Sequence, residues 1–248
     1  QASGLTGIQY CARVQRNSAS TSTTVVALGV SLESADSYRF AGQTVTFSFW
    51  ARAGANYSNT GSLMGVYVQS GTGTDQNQNS GFTGAAAVIN TSATLTTTWQ
   101  RFTYTGTVAS NATQIGVTCY YTPTGTAGAN DYFEVTGVQL ELGSVATSFK
   151  RASGGTIQQE LAACQRYYWR STSTSGNNQL YALGFANGTT GISGVLALPV
   201  QMRVVPTSLG YSNIRVTDEN TNFAVSALVA NNRTTVNSVY LSATVTGA

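Results

Sequence analysis

Apolar residues recur at every second position through most of the first 149 residues. Ile8, Tyr10, Ala12 and Val14 alternate with Gln9, Cys11, Arg13 and Gln15, and Val26, Leu28 and Val30 share one parity. Val45, Phe47 and Phe49 oppose Thr46, Ser48 and Trp50. The same alternation returns at Met64, Val66 and Val68, at Phe102 and Tyr104, and at Ile115, Val117, Cys119 and Tyr121. A period of two predicts strands with one buried and one wet face, as in antiparallel sandwiches. Clusters of Gly, Ser, Thr and Asn between the strands read as turns. Phe133 and Val135 are odd-numbered whereas Val138, Leu140 and Leu142 are even. The apolar phase therefore slips at Thr136-Gly137, which predicts a β-bulge or the meeting of two strands.

The segment 150–155 is polar and small-residued, and predicts a boundary between a domain at 1–149 and a second at 150–248. One helix is expected just after it. Thr156 and Gln159 have the spacing of a capping box, and Ile157, Leu161, Cys164 and Tyr168 fall on one helical face. Glu160 near its start and Arg166 and Arg170 near its end suit the helix dipole. Strands are then expected at Tyr181, Leu183 and Phe185, along Leu196, Leu198, Val200, Met202 and Val204, at Phe223, Val225, Ala227 and Val229, and at Val239, Leu241, Ala243 and Val245. Pro199 lies within the second of these and predicts an edge position or a break. The pattern as a whole is all-β: a sandwich, a short helix and a second, smaller β-sandwich module.

Composition agrees and narrows the chemistry. Only 8% of residues are charged, against roughly 25% in an ordinary soluble domain. The 13 Tyr, 9 Phe and 3 Trp argue against disorder. A net charge of +3, scattered along the chain, gives no footprint for nucleic acid. No apolar run approaches the ~20 residues of a membrane-spanning helix, so no membrane insertion is expected. The chain opens on Gln1, which suggests sequence upstream. Cys11, Cys119 and Cys164 are odd in number and far apart, and are expected as buried free thiols.

There is no histidine, which removes the commonest general base, the usual zinc ligand and every Ser-His or Cys-His arrangement. The nine acids fall in no recognisable glycosidase pattern. No catalytic residue and no cofactor are expected. Thr72-Gly73-Thr74-Asp75-Gln76-Asn77 is oxygen-rich but carries one carboxylate, so it reads as a polar hairpin loop and not as a calcium site. No metal ligand is assigned.

Aromatic residues offer the remaining chemistry. Trp50, Tyr67 and Tyr120 each lie on the parity opposite their apolar neighbours, beside Asn, Gln and Thr. A flat ring flanked by hydrogen-bonding groups is one way to hold a sugar, so these three are candidate ligand-binding residues. The alternative is packing under a loop or at a contact. Arg166-Tyr167-Tyr168-Trp169-Arg170 is the densest aromatic and basic cluster. With Ile157 and Leu161 it is expected at an oligomer or domain interface, since aromatics and Arg are enriched there.

Four stretches resemble phage tail-fibre and virion structural proteins: 37–54 (SYRFAGQTVTFSFWARAG), 132–143 (YFEVTGVQLELG), 160–168 (ELAACQRYY) and 200–207 (VQMRVVPT). The resemblance implies a jelly roll like those of carbohydrate-binding modules, followed by a C-terminal β-module. It implies a homotrimeric or otherwise symmetric virion appendage that meets other virion proteins and is assembled in the host cytoplasm, and it admits attachment to host-surface polysaccharide. It also implies a structural calcium held by acids near the first and last strands, although Gly7–Arg16 contains no acid. Two other roles fit the same features: a capsid decoration or head-fibre protein with no ligand, and a carbohydrate-binding module of a bacterial enzyme.

Overall fold

The computed structural model describes residues 1–151, 156–171, 183–212, 214–217 and 222–246. Tyr181, Asp218, Glu219 and most of the segment 150–155 lie outside them. The chain is all-β and divides into two compact units, Gln1–Lys150 and Arg151–Ala248.

The first unit is a jelly-roll sandwich of two four-stranded antiparallel sheets. One sheet has the order β3-β10-β5-β8, from Ala12–Gln15, Tyr132–Leu142, Thr44–Ala53 and Gln100–Thr107. The other has the order β4-β9-β6-β7, from Val26–Ser31, Gln114–Tyr121, Leu63–Gly71 and Ala86–Thr94. Val45, Phe47 and Phe49 from β5 meet Met64, Val66 and Val68 from β6, Ile115 from β9 and Phe133 from β10 in one buried core. Alternation put them there: their neighbours on each strand face outward.

Three elements depart from the pattern. The run Ile8–Val14 is two strands, because β2 (Ile8–Tyr10) pairs with β1 (Ala2–Leu5) in a separate hairpin. The chain turns at buried Cys11 before β3 joins the sandwich at the edge of β10. In β4 the apolar face is only partly covered: Val26 packs against the core, whereas Leu28 is 39% and Val30 53% exposed, on an edge strand. A single helical turn, α1 (Ser34–Ser37), precedes β5 and has no sequence signal of its own. The slip at Thr136-Gly137 is a bulge: Thr136 pairs with Trp50 and Gln139 with Ser48, leaving two residues opposite one. Gly137 takes φ +56° there, a conformation open mainly to glycine.

The second unit is a five-stranded antiparallel sheet of order β11-β12-β15-β14-β13, from Leu183–Ala186, Gly191–Ala197, Ser238–Thr246, Asn222–Ala230 and Arg215–Thr217. Strand β12 stops two residues before Pro199, and Met202 and Val204 lie outside any strand. A bulge between Val225 and Ala227 shifts β14 so that Leu228 and Ala230, not Val229, face the cluster of Leu196, Val239 and Leu241. Helix α2 (Ile157–Gln165) is capped as its spacing predicts, with Thr156 Oγ1 accepting from Gln159 N at 3.3 Å. The helix ends at Gln165, short of the expected Tyr168, and its apolar residues are exposed, at 62% for Ile157 and 54% for Leu161. Tyr168, just beyond it, is 68% exposed. Cys164 is exposed too, unlike Cys11 and Cys119, and none of the three is in a disulfide.

Strand charges in the first unit all sit on one sheet. Arg13, Arg52, Arg101, Glu134 and Glu141 belong to β3, β5, β8 and β10, whereas β4, β6, β7 and β9 carry no charged residue. Glu134 is fully buried and accepts from Arg13 Nη2 at 2.6 Å and Arg52 Nε at 2.5 Å. Burial alone would raise its carboxyl pKa, but the hydrogen bonds from Arg52 and Arg13 outweigh it and hold the group below 4.5. A depressed carboxylate stabilises the fold above its unfolded pKa and loses that contribution as pH falls through the folded value. Glu134→Gln should therefore melt below the native chain at pH 7, and the gap should close as pH drops under about 4.5, followed by circular dichroism.

Candidate carbohydrate face

The two sheets have outer faces of opposite character. On the charged sheet, the β1–β2 hairpin and the segment 143–149 cover the outside. Trp99 Nε1 donates to Ser3 O at 2.7 Å, Thr136 Oγ1 to Tyr10 O at 2.7 Å, Thr46 Oγ1 to Gly143 O at 2.7 Å, and Arg101 to Thr147 O. Trp50 lies under this cover: its Cδ1, Ile8 Cδ1 and Phe149 Cγ converge beside Gly137. The structure thus separates Trp50 from the other two candidate aromatics and gives it a packing role.

Tyr67 and Tyr120 share the outer face of the neutral sheet. Tyr67 pairs with Thr118 and Tyr120 with Gly65, so the two tyrosines are diagonal neighbours across β6 and β9, a relation that sets side chains about 7 Å apart. Both are half-buried, and neither phenol hydroxyl has a hydrogen-bond partner among the described residues. The Tyr120 ring stands directly over Gly65, where a Cβ would lie 2.4 Å from Cε1 and Cζ. On one side β4 contributes only Ala27, Gly29 and Ser31 to this face, and on the other β7 contributes Asn90 and Ser92. Gln69 and Thr118 complete it, beneath Gln78 from the loop that joins β6 to β7.

Gln78 gives no signal in the sequence because it sits in a polar loop with no period. What could have pointed to it is a pair of glycines, Gly29 and Gly116, each inside an otherwise regular strand. Asp75, from the oxygen-rich loop, serves the fold, since its Oδ1 accepts from Ser34 N at 2.8 Å and so anchors α1. The cluster 166–170 is divided. Trp169 packs against Leu196, Val239 and Leu241, while Tyr167, Tyr168 and Arg170 are exposed and Arg166 is half-buried.

The implied calcium has a direct test in this fold. Asp131, just before β10, is fully buried, and Arg16, just after β3, is almost so. Arg16 Nη1 donates to Asp131 Oδ2 at 2.8 Å, and its Nη2 to Ser20 O at 2.8 Å, Ser22 O at 2.6 Å and Gly125 O at 3.1 Å. Ser58 N and Oγ and the Tyr121 hydroxyl complete the carboxylate's partners. The oxygens that could serve a hard cation are thus saturated by a guanidinium of the chain itself. They do not fit a metal as well, and among the described residues no group of three or more His, Cys, Asp or Glu could hold one.

No family model matches the chain, and no curated protein matches it. Among solved structures it is similar to a family 4 carbohydrate-binding module, at 18% identity and TM-score 0.35 over 54% of this chain and 71% of that one. The N-terminal cellulose-binding domain of Cellulomonas fimi β-1,4-glucanase C is 18% identical, with TM-score 0.33 over 55% of this chain and 80% of that one. A family 16 carbohydrate-binding module is 15% identical, with TM-score 0.31 over 49% and 72%. At scores this low the likeness carries no argument about ligand.

Removing one partner of a buried ion pair costs about 3–5 kcal/mol. Arg16→Ala should therefore lower the first unit's melting midpoint by roughly 10 °C. A chelator should leave the native midpoint unchanged. Calorimetry with and without EDTA checks both, and a chelator-sensitive native midpoint would show that a metal also contributes.

Proposed function

We propose that the first unit is a non-catalytic carbohydrate-binding module, and that its ligand is a neutral glycan lying on the face of Tyr67 and Tyr120. The observation that carries the reading is the face itself: two adjacent tyrosines amid amides and hydroxyls, on four strands without a charge. A pyranose ring offers a C–H surface to an aromatic ring, and its hydroxyls exchange hydrogen bonds with amides. A uronic or sialic acid would need a cation to offset the loss of its hydration, and these strands supply none. One such face gives weak binding, in the range where a millimolar Kd corresponds to about −4 kcal/mol. Several copies on one particle would act by avidity.

The motif stretches favour a further reading, in which the chain is a structural protein of a phage virion, of tail-fibre type, and its second unit trimerises. The exposed residues Ile157 and Leu161 on α2, with Tyr168 just beyond its end, are the surface that supports it. The glycan would then belong to the host surface. A trimer that retains no glycan would instead fit the decoration or head-fibre role.

Tyr67→Ala and Tyr120→Ala should each weaken retention on neutral polysaccharide gels about tenfold, roughly 1.4 kcal/mol, while Trp50→Ala lowers stability and leaves retention alone. Acidic polysaccharide should not retard the protein. Unchanged retention in both tyrosine variants would refute the assignment of the face. Light scattering of the full chain should give a trimer that Leu161→Asp dissociates; a monomeric native chain would refute the assembly.

A further inference from the structure

We infer that Gln78 is a positioning residue of the open face, one that fixes the hydrogen-bonding side chains which read a bound sugar; the inference rests on the glycan reading. Gln78 begins a short 3-10 turn (Gln78–Ser80) in the loop between β6 and β7, and its backbone N–H donates to Ser31 Oγ at 2.9 Å. From there the side chain folds back onto the sheet and is only 8% exposed. Its Nε2 donates to Val117 O at 3.0 Å, while Oε1 accepts from Thr118 Oγ1 at 3.1 Å and from Gln69 Nε2 at 3.5 Å.

The amide can lie this low because the strands beneath it lack side chains. A Cβ on Gly116 would come within 2.3 Å of Gln78 Oε1, and one on Gly29 within 2.7 Å of Nε2. Neither glycine has a positive φ, so the backbone at these places asks for nothing special. The space above them does. Gly65 under the Tyr120 ring repeats the arrangement. Three glycines on one face thus seat two planar groups, an amide and a phenol, flat against the sheet.

The consequence is order before binding. A free Gln69 side chain would sample many rotamers, and a sugar would have to immobilise it. Held by Gln78, Gln69 keeps its own Oε1 for a ligand, beside Thr118 and the exposed Asn90. A fixed donor and acceptor set discriminates between sugars that differ in one hydroxyl, because a mismatched hydroxyl leaves a polar group unpaired. Gln78 therefore acts on selectivity through Gln69 and Thr118 without needing to touch the sugar.

The test compares the native chain with Gln78→Ala, Gln78→Glu and Gly116→Ala in affinity electrophoresis against two neutral polymers, a soluble β-1,4-glucan and a β-1,4-mannan, which differ in one hydroxyl configuration. Gly116→Ala displaces the amide while leaving Gln78 in the sequence. Gln78→Ala and Gly116→Ala should reduce affinity for the preferred polymer about tenfold and bring the glucan-to-mannan ratio toward one. Gln78→Glu, which keeps the acceptor toward Gln69 and Thr118, should retain more of that ratio. Melting midpoints identify any variant that fails to fold, and the ratio is read only from folded ones. If folded Gln78→Ala and Gly116→Ala keep the native ratio while Tyr67→Ala and Tyr120→Ala lose binding, the positioning role is wrong and the face stands. If the tyrosine variants also bind as the native chain does, or the native chain binds neither polymer, the glycan reading falls and the role of Gln78 with it.

Discussion

A charge withdrawn from water inside a β-sandwich has to be paired, and the first unit meets that constraint almost entirely on one side. Glu134 is held between Arg13 and Arg52, and Asp131 between Arg16, Ser58 and Tyr121. Arg13 also lies over the Tyr132 ring at 3.9 Å, and Arg52 over Trp99 at 4.8 Å, so the guanidiniums are fixed by rings as well as by carboxylates. These pairs join β3 to β10 and β10 to β5, and the Arg16 cluster ties the turns at 20–22 and 125 to the same place. The hairpin and the 143–149 segment then close over that sheet. With the charges consolidated and covered there, the opposite sheet is free to present a neutral outer face. The candidate site is in this sense a product of where the ion pairs went.

Period two was enough to recover the core strands of the sandwich, because Phe47, Phe49, Val66 and Val68 alternate with polar residues and each flip of the pleat has one dry side. The bulge at Gly137 was legible for the same reason, since an inserted residue shifts the phase. Strand β7 was not read: Ala86–Thr94 is mostly small and polar, and it is a strand because β6 offers it a ladder. The unbroken strand expected through Ile8–Val14 failed because alternation cannot say which partner a strand has. Its first half pairs locally with β1, its second half with β10. On β4 the pattern named an apolar face that only Val26 seats against the core, and on α2 it named Ile157 and Leu161 but ran past the helix end at Gln165. In neither case could it tell what lies against the face.

The same distinction applies to the site. An aromatic out of phase with its strand points away from the core, which was readable for Trp50, Tyr67 and Tyr120 alike. Whether that outer face is roofed depends on segments remote in sequence: residues 1–10 and 143–149 for Trp50, and only the Gln78 loop near the tyrosines. Arg16 was invisible as a structural cation because its acceptors are mostly main-chain oxygens, which no residue type announces. Gln78 was invisible because its role is set by glycines on two other strands.

The central claim is that one face of one sheet receives a neutral glycan. Amide chemical-shift mapping on the isotope-labelled full chain, titrated with a soluble neutral β-linked oligosaccharide, tests it most directly. The account predicts saturable shifts at Ala27, Gly29, Gly65, Tyr67, Gln69, Asn90, Thr118 and Tyr120, with β3, β5, β8 and β10 unmoved. Shifts confined to the charged sheet or to the second unit, or no saturable shift with any neutral oligosaccharide, would contradict it.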